Sequence, residues 1–190
     1  FDVKYKFLDY SMPLDLETIK QETKGQIPDN HFSENAHLKL CEDFLNNISL
    51  QELKFRTFFE KDLFYKLIPI LHRIDNIYVQ EHRMYSNHLR IAGTVDCVAE
   101  FDGKLSIIDF KNSRKIKKKE YIEHYFMQCA AYADMFTEMT SLPINQVIVL
   151  IGVDTANFCQ TLKIEGDELN HYRGELTKYI DAYYAKHGLV

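Results

Sequence analysis

Apolar and small or polar positions alternate most sharply between Ile91 and Phe101, and a second apolar run extends from Leu105 to Phe110. Asp102-Gly103 lies between the two runs. Both central positions of a two-residue hairpin turn need positive φ, which Asp-Gly tolerates, so the stretch predicts a β-hairpin. Helical spacing of apolar residues predicts a helix from Ser33 to Ile48, with Ser33 as its cap. Leu50 to Ile74 reads as helical and rich in aromatics, broken near Glu60 or Pro69. Ile77 to Met84 is a strand, with Ser86-Asn87 as a turn. Tyr121 to Met139 carries the clearest helical pattern, with Tyr121, Tyr125, Cys129, Tyr132 and Phe136 on one face. The unbroken apolar run from Gln146 to Val153 predicts a buried central strand. Cys159 to Ile164 predicts an edge strand. A last amphipathic helix opens at Gly166-Asp167 and runs to about Lys186. Residues 1 to 32 show little periodicity, and a short helix is expected near Asp15 to Thr23.

The order of these elements predicts an α/β (α+β) domain, a mixed sheet flanked by helices, with residues 1–190 as one unit. A chain of 190 residues with 46% hydrophobic and 27% charged residues is long enough for a sizeable core. It contains no apolar run long enough to predict a membrane span. The net charge of −5 means that any nucleic-acid site must be a local basic patch on an acidic body. Cys41, Cys97, Cys129 and Cys159 are scattered, which argues against an iron–sulfur cluster, a zinc site or a disulfide framework, and favours an intracellular setting. The first residue is Phe1 rather than Met, so a truncated N-terminus is the expectation.

The predicted hairpin also carries chemistry. A two-residue turn sets Phe101 opposite Lys104 and therefore Asp96 opposite Asp109. The strand period of two puts Lys111 on the same face as Asp109. Opposed residues lie ~4.5–5.5 Å apart, where like charges repel. The next pair on that face, Val98 and Ile107, is apolar. Two acids beside a buried pair are costly unless paired or metal-bound, and Mg²⁺ or Mn²⁺ suits carboxylate oxygens. The competing reading is a solvated hairpin end. Glu81 is a candidate outer acid or a plain strand residue.

Gly93-Thr94-Val95-Asp96, followed by Ile108-Asp109-Phe110-Lys111, resembles the core of the PD-(D/E)XK nuclease superfamily. The similarity runs over roughly residues 91 to 136. With Gln128 and Tyr132 four residues apart, it points to the RecB-like branch, which includes the mitochondrial genome maintenance exonuclease and phage exonucleases. The resemblance implies a restriction-endonuclease-like core. It also implies a Mg²⁺- or Mn²⁺-dependent site in which Asp96, Asp109, His37 and the backbone carbonyl of Phe110 hold metal, while Lys111 completes catalysis. His37 also reads as a histidine at the edge of a packed face. The resemblance further implies exonuclease action on DNA, with single strands or free ends preferred, in replication, repair or recombination. The matching compartments are a bacterial or phage-infected cytoplasm, or the mitochondrion.

Five of the six residues from Arg114 to Lys119 are basic. Such runs are ordinarily solvated loops. Beside the acids, Arg114, Lys115, Lys117, Lys118 and Lys119, with Asn112 and Ser113, become candidates for phosphate contacts, which are blind to sequence. Gln128 and Tyr132 project together from their helix and are candidates for supporting the site and the nucleic-acid backbone. Aromatics of the Leu50–Ile74 segment beside Arg56, Lys61 and Lys66 read either as core or as a stacking surface for a single strand. The alternatives to an exonuclease are an endonuclease, a double-strand exonuclease, and a module that binds nucleic acid without cutting.

Overall fold

Asp102 and Gly103 both take left-handed backbone, with φ of 51° and 74°, and join two antiparallel strands in the expected register. The computed structural model describes residues 30–55 and 58–188, without the side chains of 30–37 and 58–60. Five strands form one sheet: β1 (Ile74–Ser86), β2 (Ile91–Phe101), β3 (Lys104–Ser113), β4 (Gln146–Val153) and β5 (Cys159–Glu165). They lie side by side in chain order. All neighbours are antiparallel except β3 and β4, which are parallel. A parallel pair needs a long crossover, and here it contains the basic stretch and helix α3 (Glu123–Thr140). The other helices are α1 (Asn30–Leu45), α2 (Phe58–Leu71) and α4 (Asp167–His187). The architecture is therefore α/β, a mixed sheet flanked by helices.

Two cores cover the two faces of the sheet. Val147, Val149 and Ile151 of β4 pack with Phe126, Tyr132, Leu169 and Ile180 of α3 and α4. Ile148 and Leu150 pack with Leu40, Cys41, Phe64 and Leu67 of α1 and α2. This two-sided burial is why β4 is apolar at seven consecutive positions. Its one polar residue, Gln146, donates to the carbonyl of Phe101 at 3.1 Å and to Ser106 Oγ at 2.8 Å, so it ties the hairpin to the next strand.

Several boundaries differ from expectation, each for a local reason. Ser33 lies inside α1 rather than capping it. That helix stops at Leu45, where Asn47 adopts φ 64°, a conformation asparagine tolerates at helix ends. Residues 50–55 are not helical, and α2 runs through Pro69 and ends two residues later. Pro69 has no N–H for the carbonyl of Tyr65 four residues back, and the helix ends within a turn of it. The predicted Ile77 strand starts at Ile74. Tyr121 is not on α3: it belongs to a 3₁₀ turn, Lys119–Tyr121, and is 71% exposed. Ile122, with φ −125°, separates that turn from the helix. On α4 the buried face is Leu169, Tyr172, Leu176 and Ile180, while Tyr179 is exposed. The helix expected near Asp15 to Thr23 lies outside the described residues. No helix among the described residues is long and apolar enough to cross a membrane.

Candidate active site

The β2–β3 ladder is regular from the turn to the Cys97–Ile108 pair and stops there. Asp96 and Asp109 occupy the next position. Beyond Cys97, the carboxylate of Asp96 takes over the role of a backbone partner and accepts the N–H of Phe110 at 2.9 Å. A strand residue projects its N–H and C=O to the same side, so the Phe110 carbonyl also faces this opening.

Asp96 marks a second irregularity. Cys97, Ala99 and Phe101 face the α1/α2 core, and Val98 faces the other. Val95 shares a face with Val98, so the alternation of β2 breaks at Asp96. On the neighbouring strand, Gln80 pairs with Cys97 and His82 with Val95. Glu81, at the level of Asp96, has φ 44°. It does not pair with Ala92, whose partner is Tyr85, so the tight Ser86-Asn87 turn is corrected to a longer connection. Irregular strands of this kind re-aim side chains near functional sites.

Asp109 and Lys111 follow Ile107 on the α3 side of β3. Asp109 is 1% exposed, and Lys111 Nζ donates to its Oδ1 at 2.9 Å. Burial works to lower the Lys111 pKa. The charges of Asp109 and Asp96 and the hydrogen bond to Asp109 more than offset it, so the pKa is raised and the side chain is an ammonium. Its Nζ also stands 5.3 Å from the centre of the Tyr125 ring.

From α3, Gln128 Nε2 donates to the Tyr132 hydroxyl at 3.1 Å. Gln128 is buried, and its Oε1 has no hydrogen-bond partner among the described residues. The Tyr132 pKa is raised, first by burial, against the Gln128 hydrogen bond and with the charges of Asp96 and Asp109 adding to it. Tyr132 thus sits within electrostatic reach of both acids. Its ring lies on Gly93: a Cβ there would stand 2.8 Å from Tyr132 Cε1. Gly93 and Tyr125 are two supporting residues to which sequence reasoning assigned no role. Tyr125 was legible as the residue one turn before Gln128 on the same helix.

The remaining candidates are dispersed along the end of the sheet. Asn112 and Ser113 are half-buried, and the Ser113 hydroxyl is engaged within its own turn, donating to the Lys115 carbonyl at 2.7 Å. Arg114, Lys115 and Lys118 are exposed. Lys117 is bound through its backbone: its N–H donates to Gln160 Oε1 at 2.9 Å and its carbonyl accepts from Gln160 Nε2 at 2.6 Å. Lys119 pairs with Glu168 at 2.5 Å. His37 lies in α1 one turn before Cys41, but its side chain is outside the described residues. Cys41 is fully buried, and burial, with the charges of nearby Cys159 and Asp96, pushes its thiol up.

Asp96, Asp109 and the Phe110 carbonyl are all oxygen donors, which suits a hard divalent cation such as Mg²⁺ or Mn²⁺. Among the described residues no group of three or more His, Cys, Asp or Glu side chains forms a metal site, so a third side-chain ligand would have to come from elsewhere. The four cysteines are free and buried.

The model of the PD-(D/E)XK nuclease superfamily matches residues 15–184. The chain belongs to that superfamily, whose members act on nucleic acids and generally use divalent metal ions. A solved structure from Eubacterium rectale, named as a candidate exonuclease, superposes with a TM-score of 0.59 at 8% identity, covering 100% of this chain and 84% of that one. The structure of SSO0001 superposes with a TM-score of 0.42 at 18% identity, covering 86% of this chain and 68% of that one. No curated protein matches the chain.

Proposed function

We propose that this chain is a single-domain, metal-dependent exonuclease of the RecB-like branch. It hydrolyses DNA phosphodiester bonds, prefers single strands or free ends, and serves DNA replication, repair or recombination. The observation that carries this reading is the buried Lys111–Asp109 pair, 2.9 Å apart, beside Asp96 at the point where β2 and β3 part. An ion pair so buried is a poor way to stabilise a protein, and perturbed pairs of this kind cluster at functional sites.

Asp96, Asp109 and the Phe110 carbonyl would hold Mg²⁺ or Mn²⁺, with His37 as a further ligand. When bound, such an ion polarises the phosphate and lowers the pKa of an attacking water. The Lys111 ammonium stabilises the charge that develops on the phosphate oxygens. Gln128 and Tyr132 hold the α3 side of the site, with the Gln128 carbonyl oriented as an acceptor for a donor brought in with the substrate. Asn112, Arg114, Lys115 and Lys118 contact phosphates along the bound strand.

The test is cleavage of end-labelled DNA, single-stranded and duplex, linear and circular, with Mg²⁺, Mn²⁺ or chelator. Metal-dependent shortening of linear single strands, lost in Asp109→Ala and Lys111→Ala, is the expected result. Cutting of circles would replace exonuclease by endonuclease action. DNA binding without any cutting would leave a binding module with a nuclease fold.

A further inference from the structure

On the face opposite α3, α2 and the β4–β5 connection enclose an open cleft of about 410 Å³. That volume is within the range of small-ligand sites. Tyr65 and Phe158 line it and are 45% and 52% exposed, high values for large aromatics. Among the described lining residues the one cation, Lys66, is matched by Asp62 at 2.6 Å. Lys61 Nζ stands 5.7 Å from the Tyr65 ring centre. With Lys61 at its rim, an aromatic-lined cleft suits a flat uncharged base flanked by its phosphate.

The cleft is joined to the basic loop. The N–H of Asp154 donates to the Ser113 carbonyl at 3.0 Å, and Thr155 Oγ1 donates to the Arg114 carbonyl at 3.0 Å. With the two Gln160 bonds to Lys117, these fix the segment carrying Phe158 against the segment carrying Arg114, Lys115 and Lys118. The register adds a distance. Asn112 pairs with Gly152, and Gly152 pairs with Cys159, which lines the cleft. Two strand spacings are ~10 Å. The cleft therefore lies two strands across from Asn112, around the end of the sheet from Asp109 and Lys111 on the α3 face.

We propose that the Tyr65–Phe158 cleft stacks a nucleobase of a single strand whose scissile phosphate lies at Asp109 and Lys111 and whose intervening phosphates run over Arg114, Lys115 and Lys118. This deepens the exonuclease reading and rests on it. It also supplies a physical basis for single-strand preference, because a paired base cannot leave its stack to enter the cleft without unpairing.

The experiment measures binding of a fluorescein-labelled dT12 and of a 12-nucleotide abasic tract by anisotropy, in chelator, using the whole chain. The wild-type protein is expected to bind dT12 more tightly than the abasic tract. Tyr65→Ala/Phe158→Ala is expected to weaken dT12 binding about 5- to 150-fold, the range for loss of one stacked base, and to leave the abasic tract unchanged. Tyr65→Phe/Phe158→Trp is expected to bind dT12 as the wild type does. Equal wild-type affinity for the two ligands, with cleavage of dT12 in Mg²⁺ or Mn²⁺ intact, overturns the stacking site and leaves the nuclease reading standing. A wild-type protein that neither binds nor cleaves dT12 overturns both.

Discussion

Each end of the β2–β3 hairpin carries an aspartate held by a basic side chain, and the two pairs are opposites in setting. At the turn, Arg73 reaches Asp102 through two parallel hydrogen bonds, with side chains 42% and 53% exposed. At the open end, Lys111 reaches Asp109 with side chains 16% and 1% exposed. The Arg73 guanidinium also lies 4.5 Å from the centre of the Phe101 ring, so the outer pair pins a turn that Asp-Gly already favours. The inner pair has no such structural task, because the strands separate just there. An exposed pair contributes about 0–1 kcal/mol, whereas removing one member of a buried pair costs about 3–5 kcal/mol. The same chemistry is therefore incidental at one end and consequential at the other.

The largest effect is expected from Lys111→Met. The DNA cleavage rate should fall by about 10²–10³-fold or more, the range for loss of a group that stabilises developing charge. Stability should fall by about 3–5 kcal/mol, because the Asp109 carboxylate loses the ammonium that matches it. Asp109→Asn/Lys111→Met should recover most of that stability, read from urea midpoints, and none of the activity. A single variant as stable as wild type would show that the inner pair carries no desolvation cost, and the contrast with Arg73–Asp102 would collapse.

Much of this contrast was legible in the chain. Asp-Gly between two apolar runs specified the turn, and the turn set the register as far as Cys97–Ile108, one step short of Asp96 and Asp109. The alternation continuing through Ile107, Asp109 and Lys111 put the last two on one face. What could not be read was the irregularity at Asp96. No residue type signals that β2 changes face between Val95 and Cys97, or that Glu81 opposite takes a left-handed backbone. Those features follow from how two strands and a covering helix settle together. The aromatic stripe of α2 shows the same limit: Phe64 is buried and Tyr65 next to it is exposed, a split set by the helix's rotation against the sheet.

Gly93 sharpens the point from the α3 side. Its backbone needs no left-handed conformation, so the glycine serves close approach alone. Tyr132 is fully buried and cannot swing aside from a new methyl group. Gly93→Ala should destabilise by about 1–3 kcal/mol, the usual cost of overpacking. It should also lower the cleavage rate by displacing Gln128 with Tyr132. Thermal midpoints and initial rates check the two effects. Wild-type behaviour in both would mean that Tyr132 does not position the site.

A smaller effect should follow from removing exposed charge near the site. Arg114→Ala/Lys115→Ala/Lys118→Ala should leave the folded state unchanged, since these side chains are solvated. Each phosphate contact on a single strand contributes ~0.7 to the slope of log affinity against log salt, so the loss of three should flatten it by about 2. An unchanged slope would return this stretch to being a solvated loop.

The smallest effect belongs to the outer pair. The hydrogen bond from Arg73, with its charge, lowers the Asp102 pKa. A carboxylate depressed in the folded state adds stability above its unfolded pKa, near 3.9, and that contribution disappears as pH falls through the lower folded value. Because both side chains are near half-exposed, solvent screens the pair, and a double-mutant cycle of Arg73→Ala and Asp102→Ala should give a coupling of only about 0.2–1 kcal/mol at neutral pH. The coupling should shrink in 1 M salt, where the Debye length is about 3 Å, and should vanish in acid below the folded Asp102 pKa. A coupling of several kcal/mol that resists salt would mean that the turn end is as constrained as the open end. The difference between the two aspartates would then not be one of burial.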